Sequence, residues 1–92
     1  MTDRKTHKLK TWPKFFQAVW DDLKSFEIRF NDRAYEVGDR LLLEEFDPDR
    51  NVYTGRVISA AVSYLTAFEQ VSGFVVMALK VEAKLTKPHS GE

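Results

Sequence analysis

Apolar side chains recur at helical spacing over residues 12–23. They occupy positions i, i+3, i+4, i+7, i+8 and i+11 of this segment, namely Trp12, Phe15, Phe16, Val19, Trp20 and Leu23. This spacing places them on one face of a helix. Thr11 can cap the first turn, and Pro13 is tolerated there because a first-turn N–H has no partner within the helix. The pattern therefore predicts one amphipathic helix.

The period changes to two immediately after the helix. Phe26, Ile28 and Phe30 alternate with polar residues, which predicts a strand over residues 25–30 with these three side chains on the core face. Further strands are predicted over residues 7–10, 40–46, 53–65 and 74–83. In the last two strands the expected core faces are Ile58, Ala60, Val62 and Tyr64, and Val75, Met77, Leu79 and Val81. Gly55 predicts a bulge or bend early in the longer one.

The order of these elements indicates an α+β fold. Short polar loops join consecutive strands, which favours antiparallel pairing, and a small sheet avoids long exposed edges by curling. We expect a small, mixed, mostly antiparallel β-barrel over residues 7–84, with one main helix packed against it. Residues 1–6 and 85–92 are polar and lack apolar partners, so they are expected to form a disordered N-terminal tail and a flexible C-terminal tail.

Composition narrows the class of protein. A chain of 92 residues forms one domain, and its 13% aromatic content predicts a core built from rings. Cysteine is absent, which excludes disulfides and zinc fingers. The two histidines, His7 and His89, lie far apart, so neither a metal site nor another cofactor is expected. No apolar run approaches ~18 residues, so no membrane contact is expected, and the expected location is cytoplasmic.

Charge is balanced over the chain but uneven along it. Fourteen basic residues match fourteen acidic ones, which is atypical of a protein that holds duplex DNA by bulk electrostatics. Residues 1–33 carry net +3, residues 34–50 carry net −4 and residues 51–92 carry net +1. We therefore expect an anionic ligand to meet the N-terminal third, with segment 34–50 facing away from it.

The densest polar cluster is centred on the strand at residues 25–30. Glu27 and Arg29 share one strand face about 7 Å apart, with Lys24 before them and Arg33 after the following turn. Three cations around one carboxylate can present planar donors to a phosphate, a carbonyl or a base edge. The alternative is a solvated strand face with weak ion pairs.

Two further candidate positions flank this cluster. His7, Lys10 and Trp12 lead into the helix, where a Trp beside a Lys can stack a base and hold a phosphate. Alternatively, Trp12 attaches the helix to the core. Tyr64 can stack or donate its hydroxyl, or form a core ring with a solvated tip. The sequence contains no glycine-rich phosphate loop and no nucleophile elbow.

Several segments together resemble the DUF3850 family, which is related to ASCH domains within the PUA-like superfamily and occurs in bacteria and phages. They are His7-Lys8-Leu9-Lys10, Pro13-x-x-Phe16-x-x-Val19, Lys24-x-Phe26-Glu27-Ile28-Arg29-x-Asn31-Asp32-Arg33, Val37-Gly38-Asp39, Tyr53-Thr54-Gly55-Arg56 and Gly73-Phe74-Val75-Val76-Met77. The resemblance implies a PUA-like β-barrel with a helix beside it. It also implies an RNA- or nucleotide-binding cleft near Lys24, Glu27 and Arg29.

An enzymatic precedent also follows from the resemblance. A small ASCH protein similar in this region is an amidohydrolase of 4-acetylcytidine that uses a Lys, a Thr nucleophile and a Glu. The Lys matches Lys24, but Glu27 stands at the Thr position, and a carboxylate is a poor nucleophile for amide hydrolysis. The remaining Glu has no secure counterpart in this sequence; Glu69 is the position that we consider for it. Some ASCH proteins are also described as ribonucleases. In this chain, His7 and Lys24 are the residues that could assist RNA cleavage of that kind.

We therefore favour a binding module, not an enzyme, whose ligand is RNA or a nucleotide. In this hypothesis Lys24, Arg29 and Arg33 hold phosphate or carbonyl groups, Glu27 orients the arginines, and Trp12 or Tyr64 stacks. The alternatives are a hydrolase of modified nucleosides or RNA, and a protein-interaction or phage accessory factor. The expected oligomeric state is a monomer or a weak homodimer.

Overall fold

A computed structural model of the chain describes residues 4–87. The elements are β1 (Thr6–Thr11), α1 (Pro13–Trp20), β2 (Phe26–Phe30), β3 (Arg40–Asp47), β4 (Val52–Thr66) and β5 (Phe74–Thr86). The expected tails at residues 1–6 and 85–92 lie partly outside this range. Within it, Thr6 belongs to β1, and Leu85 and Thr86 belong to β5.

The five strands form one sheet in the order β1-β3-β4-β5-β2. β1 pairs with β3 in parallel, and the other neighbouring strands are antiparallel. The sheet curls into a half-barrel whose two edge strands, β1 and β2, approach each other. The expected mixed, mostly antiparallel α+β architecture with one helix is thus confirmed. The strand ladder itself stays open between β1 and β2.

The helix is shorter than the apolar stripe predicts. It ends at Trp20 because Asp22 adopts a φ of 61° and the N–H groups of Leu23 and Lys24 both donate to the carbonyl of Ala18. Thr11 does not cap the helix; its hydroxyl donates to the carbonyl of Leu9 instead. Leu23 consequently lies outside the helix and is exposed.

The helix packs on the concave face of the sheet through part of its stripe. Phe16 and Val19 are buried, and Trp20 packs at the margin of the core. The guanidinium of Arg56 on β4 lies 5.0 Å from the ring of Phe16 and 4.8 Å from the ring of Trp20. These contacts hold the middle and the end of α1 against β4.

The core is mainly aliphatic, contrary to the ring-built core that composition predicts. Its fully buried members come mostly from β1, β3, β4 and β5: Leu9, Leu41, Leu43, Ile58, Ala60, Val62 and Met77, together with Phe16 and Val19 of α1. Many other rings lie on the outside of the half-barrel or at its open side. High aromatic content therefore marks surfaces in this protein more than its interior.

The predicted orientation of β2 is wrong. Phe26, Ile28 and Phe30 are exposed, whereas Glu27 is buried and Arg29 is half-buried. Alternation identifies the strand, but it cannot decide which face is interior when charged side chains neutralise one another. Here the inward side chains form ion pairs, so the polar face is the one that turns inward.

Tyr64 also lies on the opposite face from the predicted one. The pairing of β4 with β5 shifts register between Val62 and Tyr64, so one extra residue enters β4. Ile58, Ala60 and Val62 point into the core, whereas Tyr64 points to solvent. The expected bulge at Gly55 is confirmed, because β4 shifts register against β3 across residues 54–56.

Candidate functional site

Glu27 is the centre of the candidate site. It is 3% exposed, on the inward face of β2. Its Oε1 accepts a hydrogen bond from Nζ of Lys24 at 2.6 Å, and its Oε2 accepts one from Nε of Arg29 at 2.9 Å. Both carboxylate oxygens are thus occupied by cations, which offsets the cost of burying the charge.

Lys24 reaches Glu27 because of the chain reversal after α1. The N–H of Lys24 donates to the carbonyl of Ala18 at 3.0 Å, which places the residue at the entry to β2. Its ammonium also donates to the carbonyl of Phe26 at 2.7 Å. An ammonium has three N–H groups, so two of them are used in these contacts and one remains for a ligand.

Arginine side chains connect the two edges of the half-barrel. Nη2 of Arg29 on β2 donates to the carbonyl of Lys10 at 3.2 Å, and Nη1 of Arg33 donates to the carbonyl of Lys8 at 2.8 Å. We call this β1–β2 boundary the seam. Guanidinium groups here take the place that a backbone ladder would have in a closed barrel.

A groove opens at one end of the seam, with a cavity volume of about 830 Å³. Its apolar lining is Trp12 and Phe15 at the start of α1 and Phe26 and Ile28 of β2; all four side chains are about half exposed. The polar lining is Lys10, Thr11, Lys24, Glu27 and Arg29. The groove therefore combines apolar, mostly aromatic side chains with three cationic ones.

The groove has a net positive charge. Three cationic side chains and one carboxylate line it, which gives net +2. Arg29 uses Nε for Glu27 and Nη2 for β1, and none of its contacts within residues 4–87 involves Nη1. Two planar N–H donors thus remain for an oxygen ligand. None of the acidic residues of segment 34–50 lines the groove, in line with the charge pattern of the sequence.

Five of the eight predicted site residues meet at this groove. They are Lys10, Trp12, Lys24, Glu27 and Arg29. The other three lie elsewhere: Arg33 on the seam, Tyr64 on the outer face of the sheet, and His7 in the interior.

His7 has a structural position. It is buried, with Nε2 at 2.8 Å from Oδ2 of Asp39 and its ring edge-on to Tyr35 at 4.8 Å. Burial acts to raise the pKa of Asp39, but hydrogen bonds from His7 and from the backbone N–H groups of Glu36 and Lys5 outweigh burial and lower it. Burial raises the pKa of the Tyr35 phenol. These groups hold the start of β1 on the loop before β3.

Sequence reasoning assigned Phe15, Phe26 and Ile28 to the core and missed them as side chains that line the groove. The available signal was the polar face of β2: if Glu27 and Arg29 face inward, the alternating apolar residues must face outward. Thr11 was also missed. It is buried beneath the groove, and its Oγ1 lies 3.4 Å from Nη2 of Arg29.

Within residues 4–87, no group of three or more His, Cys, Asp or Glu side chains is placed to hold a metal ion. His89 lies outside the described residues. The same range contains no helix that is long and apolar enough to cross a membrane.

Comparison with known proteins places the chain in a family. A segment of 62 residues, 67% of the chain, is 39% identical to an uncharacterized 12.9 kDa protein in the GpA 3′ region of Escherichia phage P2. The match spans 55% of that protein's length. The family model for the domain of unknown function DUF3850 matches residues 6–79, which include every residue that lines the groove. The chain therefore belongs to the DUF3850 family.

Proposed function

We propose that this protein binds single-stranded RNA or a nucleotide in the groove beside β2. The observation that carries the proposal is that exposed aromatic side chains and cations line one groove, and that the buried carboxylate among the cations is already paired. A base can stack on Trp12, Phe15 or Phe26, while Lys10, Lys24 and Arg29 hold a phosphate. Stacking on aromatic side chains and a cationic surface are the two features that single-strand binding sites share.

Size and charge support a nucleotide-scale ligand. A cavity of about 830 Å³ falls within the range typical of small-ligand sites. The groove has a net charge of +2, whereas the chain as a whole is neutral. Cationic side chains are therefore concentrated beside the aromatic side chains of the groove. In this proposal the fold is PUA-like, the groove is the ASCH-type cleft and the protein works in the cytoplasm.

Glu27 acts as a positioning residue in this proposal. It holds Lys24 and Arg29 on one side of the groove, so the remaining N–H donors of both point at the same volume. The hydrolase alternative gains no support from this geometry. A carboxylate with both oxygens engaged by cations is poorly placed to attack a carbonyl or to accept a proton.

The test is the binding of short fluorescent single-stranded RNA and of mononucleotides, followed by anisotropy across a salt series. Affinity should fall as salt rises, and the Lys24→Ala/Arg29→Ala double variant should bind about 10–100-fold more weakly, the equivalent of one or two charge-assisted hydrogen bonds. Trp12 fluorescence should change on binding.

The matched control is the Arg40→Ala/Lys80→Ala variant, which removes the same charge from side chains outside the groove. It should stay within about threefold of the wild type, since exposed cations act only through the long-range field. Circular dichroism confirms folding of each variant. Equal affinities of the two double variants, or no binding by the folded wild type, would refute the proposal.

A further inference from the structure

The outer surface of the sheet carries an uncharged face beside the β2 edge. Strand register aligns Phe26 with Ala78 and Tyr64, Ile28 with Val76 and Thr66, and Phe30 with Phe74. Residues directly opposite each other on antiparallel strands point to the same side, so these eight side chains form three adjacent rows. We call them the outer apolar face. None of the eight is charged.

This face is large for so small a protein. Phe26, Ile28, Phe30 and Tyr64 are each 40% to 63% exposed. Large side chains of this kind offer roughly 200 Å² each, so these four leave on the order of 400 Å² uncovered. Phe68 and Val71, in the turn that joins β4 to β5, are more than 70% exposed. The turn adjoins the face, because Gly73 lies against the ring of Phe30.

Phe68 and Val71, on either side of the exposed Glu69, bring the exposed apolar area to roughly 700 Å², near the 800 Å² that each partner of a standard interface buries. The rim is polar: Lys80 lies next to Ala78 on the outward side of β5, and Asn31 and Asp32 follow Phe30. An apolar centre with a polar rim is the anatomy of a protein interface.

We propose that a second copy of this chain covers the outer apolar face, forming a two-fold symmetric dimer in which two sheets pack face to face. The area available on each copy matches what such an interface requires. Away from the groove a nucleic acid is disfavoured, because none of the six side chains that the face does not share with the groove offers a cation to a phosphate. Apolar centres of this kind are typical of homodimers, and the neutral chain does not repel its own copy.

The face is positioned for such packing. Phe30 and Phe74 form an edge-to-face pair with ring centroids 5.5 Å apart, which gives the surface a rigid ridge. Side chains of two facing sheets interdigitate across about 10 Å. The groove and the face share Phe26 and Ile28, whereas Tyr64 and Phe68 do not line the groove and therefore report on the dimer alone.

The test is sedimentation velocity of the full chain from low-micromolar to near-millimolar concentration. The wild type should form a dimer with a dissociation constant in the micromolar range. Tyr64→Lys and Phe68→Lys each bury a charge in the interface, and each should weaken the dimer by about 10–100-fold. Both positions are exposed, so the variants should retain the wild-type circular dichroism spectrum and melting temperature.

The matched control is Val37→Lys, which replaces an equally exposed apolar residue in the loop before β3. It should leave the dimer unchanged. A wild type that remains monomeric throughout the range overturns the proposal, including the case in which the face proves to bind a different protein. A dimer that survives both Tyr64→Lys and Phe68→Lys also overturns it, because the contact would then lie elsewhere.

Discussion

Glu27 has two functions that act in opposite directions. It neutralises Lys24 and Arg29 inside the half-barrel, which allows two charged side chains, Glu27 and Arg29, to occupy the inward face of an edge strand. It also lowers the positive charge that the groove offers to an anion. Stability and anion affinity should therefore respond differently when its charge is removed.

The Glu27→Gln variant keeps the shape of the side chain and removes the charge. Unfolding free energy should fall by about 3 kcal/mol, because two cations lose their buried partner. Affinity for a phosphate-bearing ligand at low salt should rise, because the net charge of the groove increases. Urea unfolding and fluorescence anisotropy measure the two effects.

The control is Glu82→Gln, which breaks the exposed pair between Glu82 and Arg40. It should cost less than about 1 kcal/mol and leave ligand affinity unchanged. If Glu27→Gln were as mild as Glu82→Gln in urea, Glu27 would not be the anchor of the site that its geometry indicates.

Residue spacing placed Glu27 and Arg29 on one strand face with Lys24 just before them, but spacing alone fitted a solvated face with weak ion pairs as well, and the family resemblance decided for a site. The structure brings the three side chains together. Spacing could not separate His7 from them. A histidine near a basic segment has the same sequence signature whether it faces a ligand or, as here, a buried Asp39 that lies far away in sequence.

At the scale of elements, β4 is shaped by irregularities as much as by its alternation. Gly55 sits at the first bulge with a φ of +99°, and its carbonyl accepts a hydrogen bond from the N–H of Lys87 at 2.7 Å. A Cβ added there would lie 2.7 Å from the carbonyl oxygen of Lys87. The bulge therefore requires a residue without a side chain.

Gly55→Ala should lower the unfolding free energy by about 2–4 kcal/mol, since it adds a backbone clash to the strain of a positive φ. Gly38→Ala is the matched control. Gly38 has a φ of +96°, but a Cβ there would meet nothing within 4 Å, so only about 1 kcal/mol of strain should appear. Equal costs in thermal and urea unfolding would exclude the clash as the cause.

Periodicity located all five strands and the helix, but it predicted less well where the helix ends and which strand faces are buried. The helix ends at Trp20 because the N–H groups of Leu23 and Lys24, in the chain reversal, donate to the carbonyl of Ala18. The spacing of apolar residues does not predict these hydrogen bonds. Tyr64 changes face because one bulge inserts a residue, and only the register of β5 reveals it. The bulge at Gly55 was predictable because a glycine within a strand pattern is itself a signal of a bulge or bend.

For the whole molecule, two buried carboxylates link distant parts of the chain. Asp39 joins the start of β1 to the loop before β3. Glu45 on β3 accepts hydrogen bonds from Arg56 at 2.9 Å and from the Thr54 hydroxyl at 2.6 Å. Hydrogen bonds from Arg56 lower the pKa of Glu45 despite its burial, and the Asp39 pKa is lowered by the hydrogen bonds it accepts.

Both lowered pKa values predict loss of stability in acid. Because the folded-state pKa lies below the unfolded value, the unfolded chain binds more protons between the two. The contribution to stability is complete above the usual values of 3.8 and 4.5, and it is lost as pH falls through the folded-state pKa of each group. Urea unfolding at a series of pH values from 7 downward, measured by circular dichroism, should show this decline.

An Asp39→Asn/Glu45→Gln double variant should be less stable at neutral pH and should show a flatter decline in acid, because the groups that take up protons are absent. Glu44→Gln is the matched control, because it removes a neighbouring carboxylate of β3 that, unlike Glu45, is not buried. An unchanged slope in the double variant would assign acid unfolding to other carboxylates.

Short loops and strand alternation predicted a mostly antiparallel sheet, and composition predicted a single domain. The prediction of a mixed sheet did not say which strands pair in parallel, because β1 and β3 are separated along the chain by the helix and β2. The open ladder between β1 and β2 was not foreseen either. Two edge strands pair through their backbones only if they come close enough for N–H groups to reach carbonyls. The distance between β1 and β2 depends on the curl of the whole sheet, which a local sequence pattern does not predict.

The seam has a mechanical consequence. Separating β1 from β2 breaks the arginine contacts to the carbonyls of Lys10 and Lys8, but it disrupts no rung of the sheet. Cohesion along this line therefore comes from side chains and from the packed core, and not from a backbone ladder. Loss of both guanidinium groups would weaken the boundary between the two edge strands and leave every paired strand of the sheet in register.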